Sequence, residues 1–521
     1  MMIINSAAYV ISEFRTEFGA IPPCMLPIAN HQLIEYQIPL LKKLSSKDKI
    51  IVSLPDNFKL NINENRLLEK LGAEVVFVPV DFALAESILY VLNVVDGWEN
   101  SSLKLLHGDT LAKILPNGDD IIGTTTITDD YNWEKEEVNI IWGGYFSFSS
   151  PKFFVKCLAI SRGDFVGSVR MYAKQNKMSL ADIKDWHDLG HINTYFVSRS
   201  NLTTQRVFND LKIYNGEVLK SSTQTTKIEA EINWFMKIPR DLRKYTPKLI
   251  DFGINPGTKL PFYSLEYLPF SPLNEIFVHG RNPDFYWKKI FNLIGDFLSE
   301  ARKKHDLDDE PYEKKIFADT MELYEIKTRD RIKEYIKNSH IMFDVEFKFN
   351  GITFKSLNHI IDDCIKMVKS LPVIISVLHG DLCFSNILFD SRIDRIKLID
   401  PRGLNQQKEK TIFGDQKYDL AKLAHSAIGL YDFIIAGRFR IINDEKSGYA
   451  IEFDIDERLL NIQNIFLNTK FLPSVSVYDN MPLVVLLFFS MLPLHFDNPD
   501  RQKAMLLNAV RMYTLYCMQK E

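Results

Sequence analysis

The sequence predicts two domains of different class: an α/β domain built on a mostly parallel sheet, followed by an α+β domain. Short apolar strands alternate with amphipathic helices in the N-terminal part, which is typical of parallel sheets. The pattern then changes to β-hairpins around one helix, and finally to long amphipathic helices. A chain of 521 residues is also too long for one ordinary core. We therefore expect domains at 1–198 and 199–521, the second with lobes at 199–268 and 269–521.

Bulk composition limits the class of protein and of partner. Hydrophobic residues make up 46% of the chain and charged residues 25%, which is typical of a soluble globular protein. The net charge of −4 and the lack of a long basic run argue against nucleic acid as a partner. Five cysteines without paired spacing predict no disulfide or zinc framework and fit a reducing cytoplasm.

The sequence also predicts no membrane span. The apolar run 483–494 contains Pro493 and is too short to cross a bilayer, so we expect a buried helix there. The N-terminus lacks the basic start and cleavage site of a signal peptide. Both features favour a cytoplasmic location.

The N-terminal domain opens on a short strand at Ile3-Ile4. Ligands of parallel sheets bind beyond the carboxyl ends of the strands. Asp109, in LLHGDT, follows one such strand end and is expected at the ligand-binding edge. Further strands are predicted at 49–54, 73–78 and 104–106, and helices at 32–44 and 83–95.

Four ordered segments resemble the sugar-phosphate nucleotidyltransferases, which join a nucleoside triphosphate to a sugar 1-phosphate. They are PPCMLPIANHQLIEYQI (22–38), LLHGDT, WGGYFSF (142–148) and WHDLGHINTYF (186–196). The resemblance implies a nucleotidyltransferase-like, Rossmann-like α/β domain in which Asp109 and Asp188 bind Mg²⁺. Two carboxylates across a cleft suit a metal that bridges nucleotide and sugar phosphates.

The segment that would hold the triphosphate departs from this family. The family has a glycine-rich loop and an Arg there, because the backbone must approach phosphate closely. This chain has AAYVISEFRTEFGA, with Gly19 as its single glycine and Arg15 as the candidate phosphate contact. Pro23 stands where the family has a Lys. Two interpretations stay open: a divergent but active nucleotidyltransferase, or a domain that only binds a ligand or scaffolds the rest of the chain.

The next segment is predicted to form hairpins around one helix. Asn215-Gly216 is a strong signal for a hairpin turn. The predicted elements are strands at 205–214, 217–220 and 261–268 and a helix at 227–236.

The stretch 377–403, which runs from VLHGDLCFSNILFD to IKLIDPRG, contains the residues that phosphoryl transfer requires. A carboxylate orients the attacking hydroxyl and can accept its proton, while an Asn and a second carboxylate hold Mg²⁺ against the nucleotide phosphates. We assign Asp381 as the base and Asn386 and Asp400 as metal ligands. A predicted hairpin over 386–399 would bring Asp400 back beside Asn386.

HGDLCFSN is similar to the HGDxxxxN signature of the aminoglycoside phosphotransferase and choline kinase group, relatives of the protein kinases. LIDPRG lies where that group has its metal-binding Asp, and GDQKYDLAKL resembles its following helix start, with Asp419 inside. This resemblance implies a protein-kinase-like fold for the C-terminal domain.

The same resemblance assigns the ATP site. A strand Lys contacts the phosphates and a Glu of the adjacent helix holds it. Lys220 takes the first role and Glu231 the second, with Glu229 as the alternative. The backbone from Glu266 to Leu268 would bind the adenine edge.

Helices are predicted at 285–305, 310–338 and 357–371. The acceptor alcohol is expected between these helices and the catalytic loop. Arg402 is one candidate for binding it. The group His495, Asp497 and Arg501 is another, although it fits a structural network at least as well.

Together the motifs predict a bifunctional chain. The kinase would use ATP and Mg²⁺ to phosphorylate a sugar, polyol or amino alcohol. The N-terminal domain would use a second nucleoside triphosphate to make a nucleotide-activated precursor, which by family resemblance suits surface polysaccharide assembly. The alternative is a kinase only, with the N-terminal domain a non-catalytic nucleotide- or sugar-phosphate-binding scaffold. The expected partners are these small molecules, and a homo-oligomer is compatible with the sequence.

Overall fold

The structure is a computed structural model that describes residues 1–126, 133–137, 139–203, 205–206, 209–214, 216–303, 310–339 and 341–518. The chain divides into two compact units. Unit 1 comprises Met1–Thr203 with His279–Asn282, and unit 2 comprises Thr204–Val278 with Pro283–Glu521. The predicted domain boundary between residues 198 and 199 falls inside the helix Ile192–Thr203.

Unit 1 alternates strands and helices. Its strands are β1 (Met2–Asn5), β2 (Pro27–Ile28), β3 (His31–Gln32), β4 (Ile50–Pro55), β5 (Ala73–Val78), β6 (Leu103–His107), β7 (Thr110–Ile114), β8 (Ile121–Thr126), β9 (Lys135–Glu137), β10 (Ile140–Phe148), β11 (Ser179–Asp182) and β12 (Lys184–Asp188). Its helices are α1 (Ser12–Phe18), α2 (Ile34–Leu44), α3 (Ile62–Leu71), α4 (Leu84–Val94), α5 (Pro151–Ser161), α6 (Phe165–Asn176) and α7 (Ile192–Thr203).

The main sheet of unit 1 runs in the order β11-β8-β10-β6-β1-β4-β5. Strands β5, β4, β1 and β6 are parallel to one another, and β11 is parallel to β8. Strand β10 is antiparallel to both β6 and β8, so it is a reversed strand inside an otherwise parallel sheet. The predicted α/β class with a mostly parallel sheet is confirmed.

One face of this sheet carries the apolar core of unit 1. Ile3 lies in register with Ile51 on one side and Leu105 on the other, and all three are buried. They belong to one cluster with residues of α4 and with Phe154 of α5. This packing holds β1 and β6 in the sheet. The turn after β6, which contains Asp109, therefore lies at the carboxyl edge of the parallel strands.

Unit 2 begins with strands and continues with helices. Its strands are β13 (Gln205–Arg206), β14 (Asn209–Tyr214), β15 (Glu217–Ser221), β16 (Leu249–Ile254), β17 (Pro261–Glu266), β18 (Ser271–Pro272), β19 (Phe347–Phe349), β20 (Ile352–Phe354), β21 (Ile375–Val377), β22 (Ile387–Asp390), β23 (Arg395–Leu398), β24 (Phe413–Asp415), β25 (Arg440–Asp444) and β26 (Gly448–Glu452). Its helices are α8 (Thr225–Lys237), α9 (Leu273–His279), α10 (Asp284–Arg302), α11 (Glu310–Met321), α12 (Lys327–Ser339), α13 (Leu357–Lys369), α14 (Lys417–Ala427), α15 (Tyr431–Ile435), α16 (Glu457–Asn468), α17 (Met481–Met491) and α18 (Pro499–Tyr516).

The first strands of unit 2 form an antiparallel sheet in the order β13-β14-β15-β17-β16. The β14–β15 hairpin turns where the sequence predicts it, although Asn215 of its turn is outside the described residues. The single strand predicted over 205–214 is instead two strands, because β13 pairs antiparallel with β14. Gly216, the other turn residue, has a φ of +77°, which favours glycine. Phe235 of α8 packs against Tyr263 of β17 with ring centroids 5.9 Å apart, so the helix lies on this sheet.

The rest of unit 2 is mainly helical, and the predicted α+β class is confirmed. The single helix predicted over 310–338 is in fact two, because a π-helical turn at Glu322–Ile326 separates α11 from α12. Helix α17 is buried at every position. In the part of the chain that the structure describes, no helix is both long and apolar enough to cross a membrane.

Candidate active sites

A buried ion pair in unit 2 links the sheet, helix α8 and the predicted metal loop. Nζ of Lys220, on β15, lies 2.8 Å from Oε2 of Glu231 and 3.0 Å from Oδ1 of Asp400. The side chains of Lys220 and Glu231 are 3% and 0% exposed. The hydroxyl of Tyr263, opposite Lys220 on β17, donates to Glu231 Oε2 at 2.6 Å. Burial opposes the charge of Lys220, but Asp400 and Glu231 outweigh it and raise the pKa, so the lysine stays cationic.

The two glutamates of α8 have different surroundings. Glu229 is 49% exposed and pairs with Lys410 at 2.8 Å. Trp234, one turn beyond Glu231, donates Nε1 to the Leu378 carbonyl at 2.8 Å and so ties the buried face of α8 to the catalytic segment. The structure therefore brings Glu231 to the strand lysine and leaves Glu229 at the surface.

The catalytic loop places Asp381 and Asn386 in direct contact. Nδ2 of Asn386 donates to the Asp381 carbonyl at 2.9 Å and to its carboxylate at 3.1 Å. Phe384, between them in sequence, packs against the rings of Phe277 and Trp287 at centroid distances of 5.2 Å and 5.8 Å. Aromatic packing thus anchors the loop that carries both polar groups.

His379 and Asp419 hold the start of this loop. Asp419, fully buried on α14, accepts the backbone N–H groups of His379 and Gly380, both at 2.8 Å. Nε2 of His379 lies 3.0 Å from the Ile399 carbonyl and must carry a proton, while burial lowers the pKa of this imidazole to about 4. Gly380 has a φ of +79°, and a Cβ there would lie 2.7 Å from Arg402 Cβ, so only glycine fits.

A second lysine, which the sequence reasoning missed, contacts the predicted base. Nζ of Lys422, on α14, lies 2.9 Å from Oδ1 of Asp381, and the lysine side chain is 11% exposed. Burial raises the pKa of Asp381, but the ammonium group outweighs burial and lowers it to about 2. The carboxylate is therefore ionised and oriented before the reaction. The available signal was the i,i+3 spacing of Asp419 and Lys422, which places both on one side of a helix.

The two predicted metal ligands lie on neighbouring segments. Strands β22 and β23 form the predicted hairpin, and the N–H of Ile399 donates to the Asn386 carbonyl at 3.0 Å. Asp400 follows directly and has a left-handed backbone, with φ of +56°, a conformation that Asp adopts more readily than most residues other than glycine. Because Nδ2 of Asn386 is hydrogen-bonded to Asp381, its Oδ1 is on the side of the amide group that faces away from Asp381.

These oxygen donors fit Mg²⁺, which prefers carboxylate and amide oxygens and retains several ligands from water and phosphate. Within the described ranges, no group of three or more His, Cys, Asp or Glu side chains is arranged to hold a metal ion. Asn386 and Asp400 would therefore share the cation with nucleotide phosphates.

The predicted adenine-binding segment follows β17. The N–H of Glu266 donates to the Lys248 carbonyl at 3.0 Å, and that of Tyr267 to the Gly216 carbonyl at 2.8 Å. Among the described residues, the N–H of Leu268 has no such partner. Leu268 is therefore the backbone donor of this segment that remains for an adenine edge.

The acceptor candidates separate into two groups. Arg402 adjoins the catalytic loop, since its N–H donates to the His379 carbonyl at 2.8 Å. Arg501 instead pairs with Asp497 at 3.4 Å, one helical turn away. His495 packs against the ring of Tyr431 with centroids 6.2 Å apart.

In unit 1, Asp188 is the last residue of β12, and Asp109 lies in the turn directly before the neighbouring strand β7. Strands β7 and β12 are antiparallel with Thr110 opposite Asp188, and the N–H of Leu189 donates to the Asp109 carbonyl at 2.9 Å. A Cβ at Gly190 would lie 2.5 Å from Oδ2 of Asp109 and 3.4 Å from Oδ1 of Asp188. A side chain at this position would fill the space between the two carboxylates, and glycine leaves that space to a cation.

Asp188 is oriented by its own segment. Its Oδ2 lies 2.7 Å from Nδ1 of His191 and accepts the hydroxyl of Thr194 at 2.5 Å. Its Oδ1 accepts the N–H of Gly190 at 3.1 Å. His191 therefore hydrogen-bonds a candidate ligand.

Helix α2 holds the turn that carries Asp109. Nε2 of Gln37 donates to the carbonyls of His107, Gly108 and Thr110 at 2.8–3.2 Å. Burial, and then the charge of Asp188, raises the pKa of Asp109 to about 6. A divalent cation relieves this repulsion between carboxylates, so the pair fits Mg²⁺.

Half of the segment predicted to hold the triphosphate, residues 12–18, forms the helix α1. Arg15 is exposed on α1, its Nε donates to the Val10 carbonyl at 2.9 Å, and its guanidinium lies 5.6 Å from the Tyr9 ring centroid. Helical N–H groups beyond the first turn are used within the helix, so α1 does not offer phosphate the series of amides of a glycine-rich loop. In the described part of unit 1, Arg15 contacts neither Asp109 nor Asp188.

The chain was compared with known proteins. No protein-family model matches it. No curated protein matches it in sequence. Over 38% of its length it is similar in structure to a nucleoside-diphosphate-sugar pyrophosphorylase from Vibrio cholerae RC9, with 12% identity, 99% of that chain covered and a TM-score of 0.31. Over 39% it is similar to an inositol-1-phosphate CTP transferase from T. maritima, with 13% identity, 95% of that chain covered and a TM-score of 0.28.

A third solved structure matches a larger part of the chain. It is a choline/ethanolamine kinase family protein from Mesorhizobium loti, with 10% identity, 60% of this chain and 86% of that chain covered, and a TM-score of 0.34. The structural neighbours thus include both kinds of enzyme that the sequence motifs resemble.

Proposed function

We propose that unit 2 is a kinase that transfers the γ-phosphoryl group of ATP to a hydroxyl of a small-molecule alcohol. The observation that supports this proposal is the ion pair between Lys220 of β15 and Asp400. Asp400 follows the β22–β23 hairpin, which begins directly after Asn386. Asp381 lies on the same loop as Asn386 and contacts its side chain. A phosphate-binding cation, two magnesium-binding oxygens and a carboxylate base are thereby brought together.

Each residue has a defined part in the proposed transfer. Leu268 donates its N–H to the adenine edge, and Lys220, positioned by Glu231, binds the phosphates. Mg²⁺ held by Asn386 and Asp400 would neutralise phosphate charge. Asp381 accepts a hydrogen bond from the acceptor hydroxyl. As the new O–P bond forms and the bond to ADP breaks, the hydroxyl proton passes to Asp381.

For unit 1 we propose nucleotidyl transfer from a nucleoside triphosphate to the phosphate ester that unit 2 makes, with pyrophosphate as the leaving group. The two carboxylates around Gly190 support this proposal, because a metal there can bridge two phosphates. The product would be a nucleotide-activated sugar, polyol or amino alcohol, a precursor suited to surface polysaccharide assembly. The helical α1 favours the alternative, in which unit 1 is a non-catalytic scaffold that binds nucleotide or sugar phosphate.

Product analysis by mass spectrometry tests both proposals on the full-length protein. The protein is incubated with MgATP, one further nucleoside triphosphate at a time, and a panel of alcohols. A phosphorylated alcohol that Asp381→Asn abolishes supports the kinase. Its conversion to a nucleotide diphospho-derivative, abolished by Asp109→Ala, supports the second step. A phosphorylated alcohol that accumulates unchanged contradicts nucleotidyl transfer and favours the scaffold. Transfer that survives Asp381→Asn contradicts the kinase mechanism.

A further inference from the structure

Basic side chains that the proposed transfer does not use lie beside the base. The basic cluster comprises Lys327 and Arg331 of α12, Arg402 of the metal loop and Lys422 of α14. Two of them lie over one ring, since Lys327 Nζ and Arg402 Cζ are each 5.9 Å from the centroid of Tyr418. Lys422, one turn after Tyr418 on α14, reaches Asp381 at 2.9 Å. The cluster therefore begins at the base and extends outward from it.

Carboxylates do not balance this charge. Arg331 donates to the Ser490 carbonyl at 3.0 Å, and Arg402 donates to the Gln406 side-chain oxygen at 3.4 Å. Lys327 makes neither a hydrogen bond nor an ion pair with any described residue. Glu334, one turn beyond Arg331, lies near enough to act on its charge but forms no ion pair with it within the described residues. Among the described residues, the ion pair between Lys422 and Asp381 is thus the single carboxylate pairing of the basic cluster.

Lys327 occupies an unfavourable position for an unpaired ammonium group. Burial, and then the charges of Arg402, Arg331 and Lys422, lowers the pKa of Lys327 well below its ordinary value. Lys327 is partly buried, and because burial of an unpaired charge is unfavourable, an ammonium group without a carboxylate partner is a candidate for binding an anionic ligand. Lys327 also follows directly on the π-helical turn at Glu322–Ile326, an irregularity that is frequent at functional sites.

A polar group without a protein partner lies on the same helix. His425, one turn after Lys422, is 1% exposed, and its ring packs between Tyr431 and Phe488 at centroid distances of 4.5 Å and 4.1 Å. Neither ring nitrogen of His425 has a hydrogen-bond partner among the described residues. A buried imidazole of this kind has an unused hydrogen-bonding group for a ligand.

From these contacts we infer that the acceptor alcohol carries an anionic group, a carboxylate, phosphate or sulfonate, that binds Lys327, Arg331 and Arg402. This inference rests on the proposed kinase function of unit 2. The hydroxyl of the same molecule would lie at Asp381, where its oxygen bonds to the γ-phosphorus, its proton passes to the carboxylate and ADP leaves. A quaternary ammonium acceptor would be repelled by the cluster.

Calorimetric titration with sodium sulfate tests the anion site on the full-length protein. Saturating MgADP occupies the nucleotide site, and the ionic strength is held constant. We expect sulfate to bind, Lys327→Met to weaken the binding at least tenfold, and Lys337→Met, on the exposed side of the same helix, to leave it within twofold. Arg402→Met serves if Lys327→Met does not fold. The inference of an anion site is overturned if sulfate does not bind or binds equally to all variants. The binding of MgADP in the same titrations tests the kinase proposal separately.

A comparison of four small alcohols then distinguishes the anionic groups. Glycerate supplies a carboxylate and glycerol 3-phosphate a phosphate, while glycerol is neutral and choline is cationic. We expect kcat/KM to be at least tenfold higher for an anionic alcohol than for glycerol, and Lys327→Met to raise KM for that alcohol but not for ATP. A preference for choline or glycerol that Lys327→Met does not change overturns the inference. Sulfate binding without any transfer would instead count against the kinase.

Discussion

Asp381 in unit 2 and Asp109 in unit 1 both lie in turns after short strands, yet neighbouring charges shift their pKa values in opposite directions. Lys422 outweighs burial at Asp381 and lowers its pKa to about 2. At Asp109, burial is reinforced by Asp188 and the pKa rises to about 6. The first carboxylate is charged and held by the protein alone. In unit 1, a bound cation would relieve the repulsion between Asp109 and Asp188 and favour the ionised form of Asp109.

The two sites differ in the same way in how they would hold phosphate. Lys220 is buried against Glu231 and Asp400, so a cation is fixed where the proposed kinase would bind phosphate. Arg15 is exposed and hydrogen-bonded to its own loop at Val10. The comparison teaches that a pair of metal-binding carboxylates is not enough to define a transferase, because the group that positions the phosphate chain must be in place as well.

The largest effect is expected from Asp381→Asn. The amide cannot accept the hydroxyl proton, so kcat should fall by about 10²–10⁴-fold, while the Kd for MgATP stays unchanged. Phosphoryl transfer and equilibrium nucleotide binding measure the two quantities. The control is Asp394→Asn, in the exposed turn of the same hairpin, where the carboxylate pairs with Lys289. Asp381 would lose its assigned role if its variant kept a rate close to that of the control.

The next effect concerns unit 1. Asp109→Ala or Asp188→Ala should lower Mg²⁺-dependent pyrophosphate release by about 10²-fold or more, since each removes one ligand of the metal. The rate of alcohol phosphorylation should not change. Asp185→Ala, at an exposed aspartate that pairs with Lys113, is the matched control. Pyrophosphate release that persists in both alanine variants would show that these carboxylates do not form the site.

A smaller effect is expected at the two glutamates of α8. Glu231→Gln removes the charge that positions Lys220, and misplacement of a catalytic group costs on the order of 10²-fold in kcat/KM for ATP. Glu229→Gln should change it less than about twofold, because an exposed ion pair contributes little. Steady-state kinetics with varied ATP compares the two variants directly. Equal losses would contradict the separation seen in the structure.

Local sequence pattern was enough for much of this molecule. Strand β5 has the predicted bounds, and the hairpin that returns Asp400 to Asn386 follows from two short apolar runs separated by a turn. Asp381 and Asn386 are five residues apart on one loop, so their contact needs no knowledge of distant packing. The predicted strands at 49–54 and 104–106 and the predicted helices at 32–44 and 83–95 correspond to β4, β6, α2 and α4 for the same reason.

Features that depend on packing between distant segments were not predictable. The contact between Lys422 and Asp381 depends on how α14 packs against the catalytic loop. Helical periodicity predicts the helix but not what it packs against. Lys327 is placed by a π-helical turn inside what periodicity presents as one continuous helix. The presence of a single glycine in residues 7–20 indicated a changed phosphate contact, but not that residues 12–18 would form α1.

The smallest effect, a change in pH profile, separates Lys422, which pairs with Asp381, from Lys410, which pairs with a carboxylate at the surface. Asp381 must be ionised to accept a proton, and with a pKa of about 2 it is ionised throughout the range from pH 5 to 8. In Lys422→Met, burial is no longer opposed by the ammonium, so the pKa of Asp381 rises and the carboxylate becomes partly protonated as the pH falls. The ratio of kcat/KM at pH 5 to that at pH 8 should drop by roughly two- to tenfold relative to the wild type.

Lys410→Met is the control for this measurement, because Lys410 also pairs with a carboxylate, Glu229, but at the surface. Its pH profile should match that of the wild type. Circular dichroism at both pH values separates loss of fold from loss of the charge. Lys422→Met could instead keep the wild-type ratio and lower kcat/KM equally at both pH values. Lys422 would then position the acceptor or the phosphate and would not set the ionisation of Asp381. The contrast between Asp381 and Asp109 would in that case have to rest on Asp188 alone.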